Sequence, residues 1–146
     1  MDFNQIRQFN FPTTIRFGAH AVKELNPYLR QNKLNRPLVV TDPVIASLDF
    51  FKSIVEALNQ DGFSVEVFSD IHKNPVKSDV YRGIDQWDAT ERDCIIGIGG
   101  GAALDVARAM VLRVHHREDL FTYDDLIGGD VYVTGEVPFF VTIPTT

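Results

Sequence analysis

One cysteine in 146 residues, Cys94, leaves no possibility of an internal disulfide and excludes the disulfide-stapled secreted class. Cys94 sits in an apolar run, the place of a buried core residue, and a reducing cytoplasm is the expected compartment. Basic charge is also short. Against 20 aspartates and glutamates stand 14 lysines and arginines, a net charge of −6, the opposite of the basic stripe a nucleic-acid binder needs. The acidic surplus reads as solvated surface. No apolar run approaches the length of a membrane span. The first residues, Asp2 and Arg7 among them, lack the unbroken apolar stretch of a signal peptide. No nucleic acid and no membrane are therefore expected as partners.

Histidine is sparse as well, and its placement argues against a metal centre in this chain. His115 and His116 are adjacent, so they cannot face one another on a helix, and His20 and His72 fall in turn regions. No Ser-His-Asp or Cys-His set offers a nucleophile. Internal repeats and low-complexity tracts are absent. At this length the chain is expected to be a single domain, residues 1–146, with a sizeable core.

What the chain does have is glycine in one telling place. The apolar segment Cys94-Ile95-Ile96 runs into Gly97-Ile98-Gly99-Gly100-Gly101-Ala102-Ala103-Leu104-Asp105, the pattern of a buried strand that turns on glycine directly into a helix. Glycine permits positive φ and close approach of a ligand to the backbone. The unpaired N–H groups and positive dipole end of the helix then suit a phosphate or pyrophosphate. Gly97, Gly99 and Ala102 match G-x-G-x-x-A formally. The usual dinucleotide fingerprint, however, opens the first βα unit and leads to an acid at the end of the next strand. Here the turn follows a later strand. A tight corner with no ligand is the plainer alternative, but three successive glycines are costly in chain entropy for a corner alone, which favours a phosphate site.

Around this turn, strand-like runs alternate with helical periodicity, the signature of an α/β fold with a mostly parallel sheet flanked by helices. Strands are predicted over 14–17, 37–41, from Phe63 through Val65 and Val67, over 94–98 and over 139–143. Helices are predicted where Val22, Leu25 and Leu29 recur, with Pro27 kinking or restarting that helix. The next places Leu48, Phe51, Val55 and Leu58 on one face and stops at Gly62. A third carries Val80, Ile84 and Trp87 behind Ser78 as N-cap. The last turns Leu104, Ala107, Val111 and Val114 inward. Residues 117–138 read as a long loop or hairpin.

Two acids draw notice. Asp42 directly follows the strand predicted over 37–41, where a carboxylate can accept from ribose hydroxyls and repel a 2′-phosphate. Asp42-Pro43 is equally an N-cap followed by proline at N1. Asp105 lies in the first turns of the glycine helix, favoured there by the dipole alone and close to any ligand on the turn. Arg108, three residues on, is a ready ion-pair partner.

Together these residues resemble the iron-containing (group III) alcohol dehydrogenases, relatives of dehydroquinate synthase. The landmarks are Phe17-Gly18, Val40-Thr41-Asp42, Asn74-Pro75, the glycine run with Asp105, and Thr142-Ile143-Pro144-Thr145-Thr146. The resemblance implies a Rossmann-like N-terminal dinucleotide-binding domain, with the pyrophosphate resting on Gly99, Gly100, Gly101 and Ala102. It implies that Asp42 faces the adenosine ribose and favours NAD over NADP. Asn74 and Asp105 would line the cleft, and Thr145 and Thr146 would hold the cofactor from the other side. Two positions depart from the family pattern. Ala102 stands where serine is usual, one hydrogen bond worth roughly 1 kcal/mol fewer. Arg108 replaces lysine.

Members of this family are more than twice as long, and the resemblance implies that their iron or other divalent metal is held by a helical C-terminal domain, expected to be absent from these residues. Without that metal nothing polarises the substrate carbonyl. The expectation is the cofactor half of an enzyme interconverting a small alcohol and its aldehyde or ketone, inactive as these residues alone. The alternatives are a relative of glycerol dehydrogenase, glycerol-1-phosphate dehydrogenase or dehydroquinate synthase, or a non-catalytic nucleotide-binding or homodimerisation module.

Overall fold

In the computed structural model, which describes residues 6–11 and 13–146, the chain divides into two compact units, Met1–Leu34 and Asn35–Thr146. In the first, β1 (Arg7–Phe11) pairs antiparallel with β2 (Thr13–Phe17), Arg7 opposite Phe17 and Phe11 opposite Thr13. The sequence pattern had shown only β2. Ala21–Glu24 then forms a single 3-10 turn, and helix α1 (Leu25–Gln31) starts behind it. Pro27 lies in the first turn of α1, where an N–H has no intrahelical partner to lose, so the helix restarts at this point instead of kinking. Val22 belongs to the 3-10 turn and is exposed, leaving Leu25 and Leu29 as the inner face. Lys33, at φ 60°, ends the unit's helix in a Schellman turn: Leu34 N–H donates to Leu29 O at 3.0 Å and Lys33 N–H to Arg30 O at 3.0 Å. That pairing satisfies two carbonyls and buries Leu34 against the helix end.

The second unit holds β3 (Pro37–Val40), α2 (Pro43–Ser47), α3 (Asp49–Gln60), β4 (Glu66–Phe68), α4 (Lys77–Thr90), β5 (Cys94–Gly99), α5 (Gly101–His115) and β6 (Phe139–Pro144). The four strands form one parallel sheet in the order β4-β3-β5-β6. Every residue of β3 and β5 is buried, as expected of central strands covered on both faces, whose apolar residues run on without alternation. Leu38, Val40 and Ile95 pack with Ile84, Trp87, Val106, Met110 and Val111 from α4 and α5 in one cluster. Val39, Ile96 and Ile98, outside that cluster, are fully buried as well, and the right-handed crossover rule puts α3 on the face away from α4 and α5.

Three elements differ from expectation for local reasons. The helix predicted through Leu48 is two helices, because Ser47 Oγ donates to Val44 O at 2.7 Å and Leu48 turns extended (φ −81°, ψ 145°). A serine that takes a helical carbonyl this way competes with the backbone ladder. Phe63 closes α3 instead of opening a strand. Its N–H donates to Leu58 O at 3.1 Å while Gly62, at φ 85°, donates to Asn59 O at 2.9 Å, a second Schellman turn with Leu58 and Phe63 buried together. Strand β4 is thereby reduced to three residues. Leu104 is only half-buried, and the inner face of α5 is Ala103, Val106, Ala107, Met110, Val111 and Val114.

Between α5 and β6 the chain forms three 3-10 turns, Leu120–Tyr123, Asp125–Ile127 and Gly129–Tyr132, with no hairpin. Leu120 packs against the core cluster, and polar groups hold the rest. Asp119 and Asp124 accept from Phe121 N–H and Leu126 N–H, and the buried His116 ring accepts from Thr134 N–H at 2.9 Å. Leu126 and Ile127 meanwhile stand 90% and 75% exposed.

Strand β5 and helix α5 approach closely at Gly97, where an added Cβ would lie 3.0 Å from Ala107 Cβ and 3.2 Å from Leu104 Cδ2. Gly97→Ala is expected to cost about 1–3 kcal/mol through overpacking, read as a lower urea midpoint with an unchanged m-value. A midpoint equal to the parent's would refute this close packing.

Candidate functional site

The strand order fixes where a ligand can bind. From β3 the chain moves outward to β4, whereas from β5 it moves the other way to β6. The connections therefore part between the two central strands and leave a crevice at their carboxyl ends, the usual ligand position in open parallel sheets. Thr41 and Asp42 follow β3, Gly100 and Gly101 follow β5, Thr145 and Thr146 follow β6, and the loop with Asn74 follows β4. All nine residues singled out from the sequence, Ala102 and Asp105 included, thus belong to this edge of the sheet or to the first turns of α5.

Within the glycine run, only one residue is required by the backbone. Gly99 has φ 146°, and a Cβ there would come 2.8 Å from Ala103 Cβ and 3.5 Å from Asp42 Oδ2. Gly100 has an ordinary φ of −83°, and its Cβ would meet Thr146 Cγ2 at an unremarkable 3.6 Å. Around Gly101 no atom lies within 4 Å. Neither folding nor packing asks for glycine at these two positions. The surface above them is bare backbone. Helix α5 has no side-chain cap at Gly100, so the N–H groups of its first turn have no partner within the helix and carry the positive end of its dipole.

Asp42 turns out to do both things the sequence left open. Its Oδ1 accepts from Val44 N–H and Ile45 N–H, each at 2.9 Å, which caps α2 behind Pro43. Its Oδ2 makes no hydrogen bond among the described residues and faces Gly99. Thr41, given no role of its own from the sequence, is fully buried and donates from Oγ1 to Ile98 O at 2.6 Å, fastening the end of β3 to β5. Thr145 N–H donates to Gly99 O at 3.0 Å, and the Thr146 side chain lies beside Gly100. The structure therefore brings Asp42, Gly99, Gly100, Thr145 and Thr146 together.

Asp105 and Asn74 make no hydrogen bond to that group among the described residues. Asp105 is exposed and pairs with Arg108 at 3.1 Å, a solvated contact worth at most about 1 kcal/mol. Asn74 is exposed on its loop and makes no hydrogen bond among the described residues. Ser78 does not cap α4. Val76 occupies the N-cap, and Asp79 at N3 accepts from its N–H at 3.0 Å. Asp79 is the other residue missed, although an acid three places inside a helix start is a readable signal. It is fully buried and also accepts from His72 N–H at 3.2 Å, His72 Nδ1 at 2.7 Å and Arg82 Nη2 at 2.6 Å. Burial alone would raise its pKa, but the bonds from Val76, His72 and Arg82 outweigh it and bring the pKa from the usual 3.8 to about 2.

Nothing else nearby supplies reactive chemistry. Burial pushes the Cys94 thiol well above its ordinary range, so it is no nucleophile. Among the described residues, no three His, Cys, Asp or Glu side chains converge as a metal site, and no helix is long and apolar enough to cross a membrane.

A carboxyl whose folded pKa is depressed adds stability that is complete above its unfolded pKa and lost as pH falls through the folded one. The urea midpoint of the chain is therefore expected to fall between about pH 4 and pH 2. Asp79→Asn should lower the midpoint at pH 7 and flatten that fall. An Asp79→Asn profile parallel to the parent's would show that Asp79 does not carry it.

Comparison with known proteins adds the following. The family model for iron-containing alcohol dehydrogenase matches residues 12–146. Choline dehydrogenase of Bacillus subtilis (strain 168) is 27% identical over 138 residues, covering 94% of this chain and 34% of that protein. The crystal structure of NADH-dependent butanol dehydrogenase A from Thermotoga maritima superposes with a TM-score of 0.80 at 19% identity, over 99% of this chain and 36% of that one. That of sulfoacetaldehyde reductase from Bifidobacterium kashiwanohense, in complex with NAD+, gives 0.77 at 24% identity, over 97% and 36%. The chain spans about a third of the length of the relatives it matches.

Proposed function

The chain belongs to the iron-containing alcohol dehydrogenase family, and from that premise we propose that it is the dinucleotide-binding part of an enzyme interconverting a small alcohol and its aldehyde or ketone with NAD. The observation that carries this reading is the bare backbone at Gly100 and Gly101, where glycine serves no need of the fold. A pyrophosphate laid across Gly99, Gly100, Gly101 and Ala102 would take up the open N–H groups of α5. Asp42 Oδ2, spared by the cap, accepts from the adenosine ribose hydroxyls, and its charge disfavours a 2′-phosphate. Thr145 and Thr146 close the far side of the turn, and Asn74 and Asp105 line the approach to it. The sulfoacetaldehyde reductase neighbour, solved with NAD+, supports the choice of cofactor.

Bound there, the nicotinamide supplies the hydride acceptor, while these residues bind and orient the nucleotide. The family's metal is another matter. Because no three suitable side chains converge among the described residues, the residues here do not fit it, and no step is assigned to it. By themselves these 146 residues are proposed to bind cofactor without turning over alcohol.

Calorimetric titration with NAD, NADP and ADP-ribose tests the reading. NAD and ADP-ribose are expected to saturate one site, with NADP weaker by roughly tenfold or more. Asp42→Asn keeps a capping oxygen and should narrow the gap between NAD and NADP without lowering the thermal midpoint. Gly101→Val, placed in open space, should leave folding intact and weaken all three ligands. No saturable binding to a folded sample, or a preference for NADP, would overturn the assignment.

A further inference from the structure

Between β4 and α4 the chain is fastened at both ends of a short arch. Asp79 Oδ2 accepts from the N–H of His72 at 3.2 Å and from the N–H of Val76 at 3.0 Å, so one buried oxygen gathers the backbone on either side of Lys73-Asn74-Pro75. Its other oxygen accepts from His72 Nδ1 at 2.7 Å and from Arg82 Nη2 at 2.6 Å. Arg82 in turn holds the start of the loop, donating from Nε to Asp70 Oδ2 at 2.8 Å and from Nη2 to Asp70 O at 2.9 Å.

Only three residues span the two anchors. Pro75 further confines Asn74 to extended backbone. The arch thus presents Asn74 at the carboxyl edge of the sheet, exposed and with its amide unengaged among the described residues. A charge without solvent exposure that ties together the two ends of an exposed loop is more than a helix cap. Capping alone needs only the bond to Val76.

We propose that Asp79 is a positioning residue for the nucleotide: through His72 and Val76 it holds the arch that carries Asn74, and so sets the Asn74 amide toward the cofactor. This rests on the reading that the carboxyl edge binds NAD. Asp79 touches no ligand itself. Its influence on binding passes through Asn74, and the two residues are coupled. Arg82 orients the same carboxylate from behind and fixes where the loop leaves β4.

A double-mutant cycle on NAD affinity tests this, because coupled residues are not additive. Asn74→Ala is expected to weaken NAD about tenfold, the scale of one lost hydrogen bond. Asp79→Asn should weaken it by a similar factor alone, and by less than about twofold in the Asn74→Ala background. A structural role would give the same loss in both backgrounds, and that result overturns the proposal. An Asp79→Asn chain that binds NAD as the parent does, or an Asn74→Ala chain that does, overturns it equally. If Asp79→Asn fails to fold, His72→Ala takes its place. It removes one exposed ring from the clamp and should cost about threefold alone and nothing with Asn74→Ala.

Failure of the underlying reading has a separate signature, a parent chain that binds no NAD at all. Hydrogen exchange read without nucleotide checks the clamp itself. The His72 and Val76 amides are expected to exchange faster in Asp79→Asn while β5 amides keep their protection, and unchanged rates at both loop amides would contradict it.

Discussion

The backbone turn at Gly99 is the constraint on which the carboxyl edge of this sheet depends. Its φ of 146° belongs to a region that side chains rarely tolerate, and Ala103 Cβ crowds the place a Cβ would fill. The turn lets β5 pass into α5 without a loop, so the helix starts directly above the strand end. Three neighbours lean on that geometry. Thr41 binds Ile98 O just before it, Thr145, just past β6, binds Gly99 O, and Asp42 Oδ2 faces it. A residue with a Cβ at this point would be strained at this φ and would press on Ala103.

Around the turn, groups serve the fold and leave a second capacity unspent. Asp42 gives one oxygen to two N–H groups of α2 and keeps the other. Helix α5 receives no side chain at its N-terminus, although Ser, Thr, Asp or Asn there is worth about 1 kcal/mol. Gly100 and Gly101 accept the entropic penalty of glycine where a Cβ would meet no close contact. Each omission leaves stability unclaimed, and all of them face the same crevice. Sites that trade stability for a binding surface show this pattern.

Much of this arrangement was legible in the sequence because it rests on short-range rules. Four apolar residues before Asp42-Pro43, and six residues ending in glycine before an apolar helix, identify β3 and β5 and the turns that follow them. The missed elements depend on competition between alternatives that local pattern does not rank. Phe63, Val65 and Val67 alternate like a strand, yet a Schellman turn claims Phe63 for the end of α3. Ser47 breaks a helix whose apolar periodicity continues across it. Thr41 is a polar residue whose partner lies 57 residues away, so its importance shows only once the strands are paired, whereas the partners of Asp79 all lie within seven residues and only its position inside the helix start was readable. Which of the three glycines the fold requires is likewise a question of φ and neighbouring atoms, and no spacing rule answers it.

The central claim is that a dinucleotide lies at the crevice between β3 and β5 with its pyrophosphate on the first turn of α5. A crystal structure of the chain grown with NAD tests it most directly. The account predicts pyrophosphate oxygens within hydrogen-bond distance of the Gly101 and Ala102 N–H groups, and a ribose hydroxyl on Asp42 Oδ2. Nucleotide density elsewhere on the chain, or on this edge with Asp42 turned away from the ribose, would contradict it.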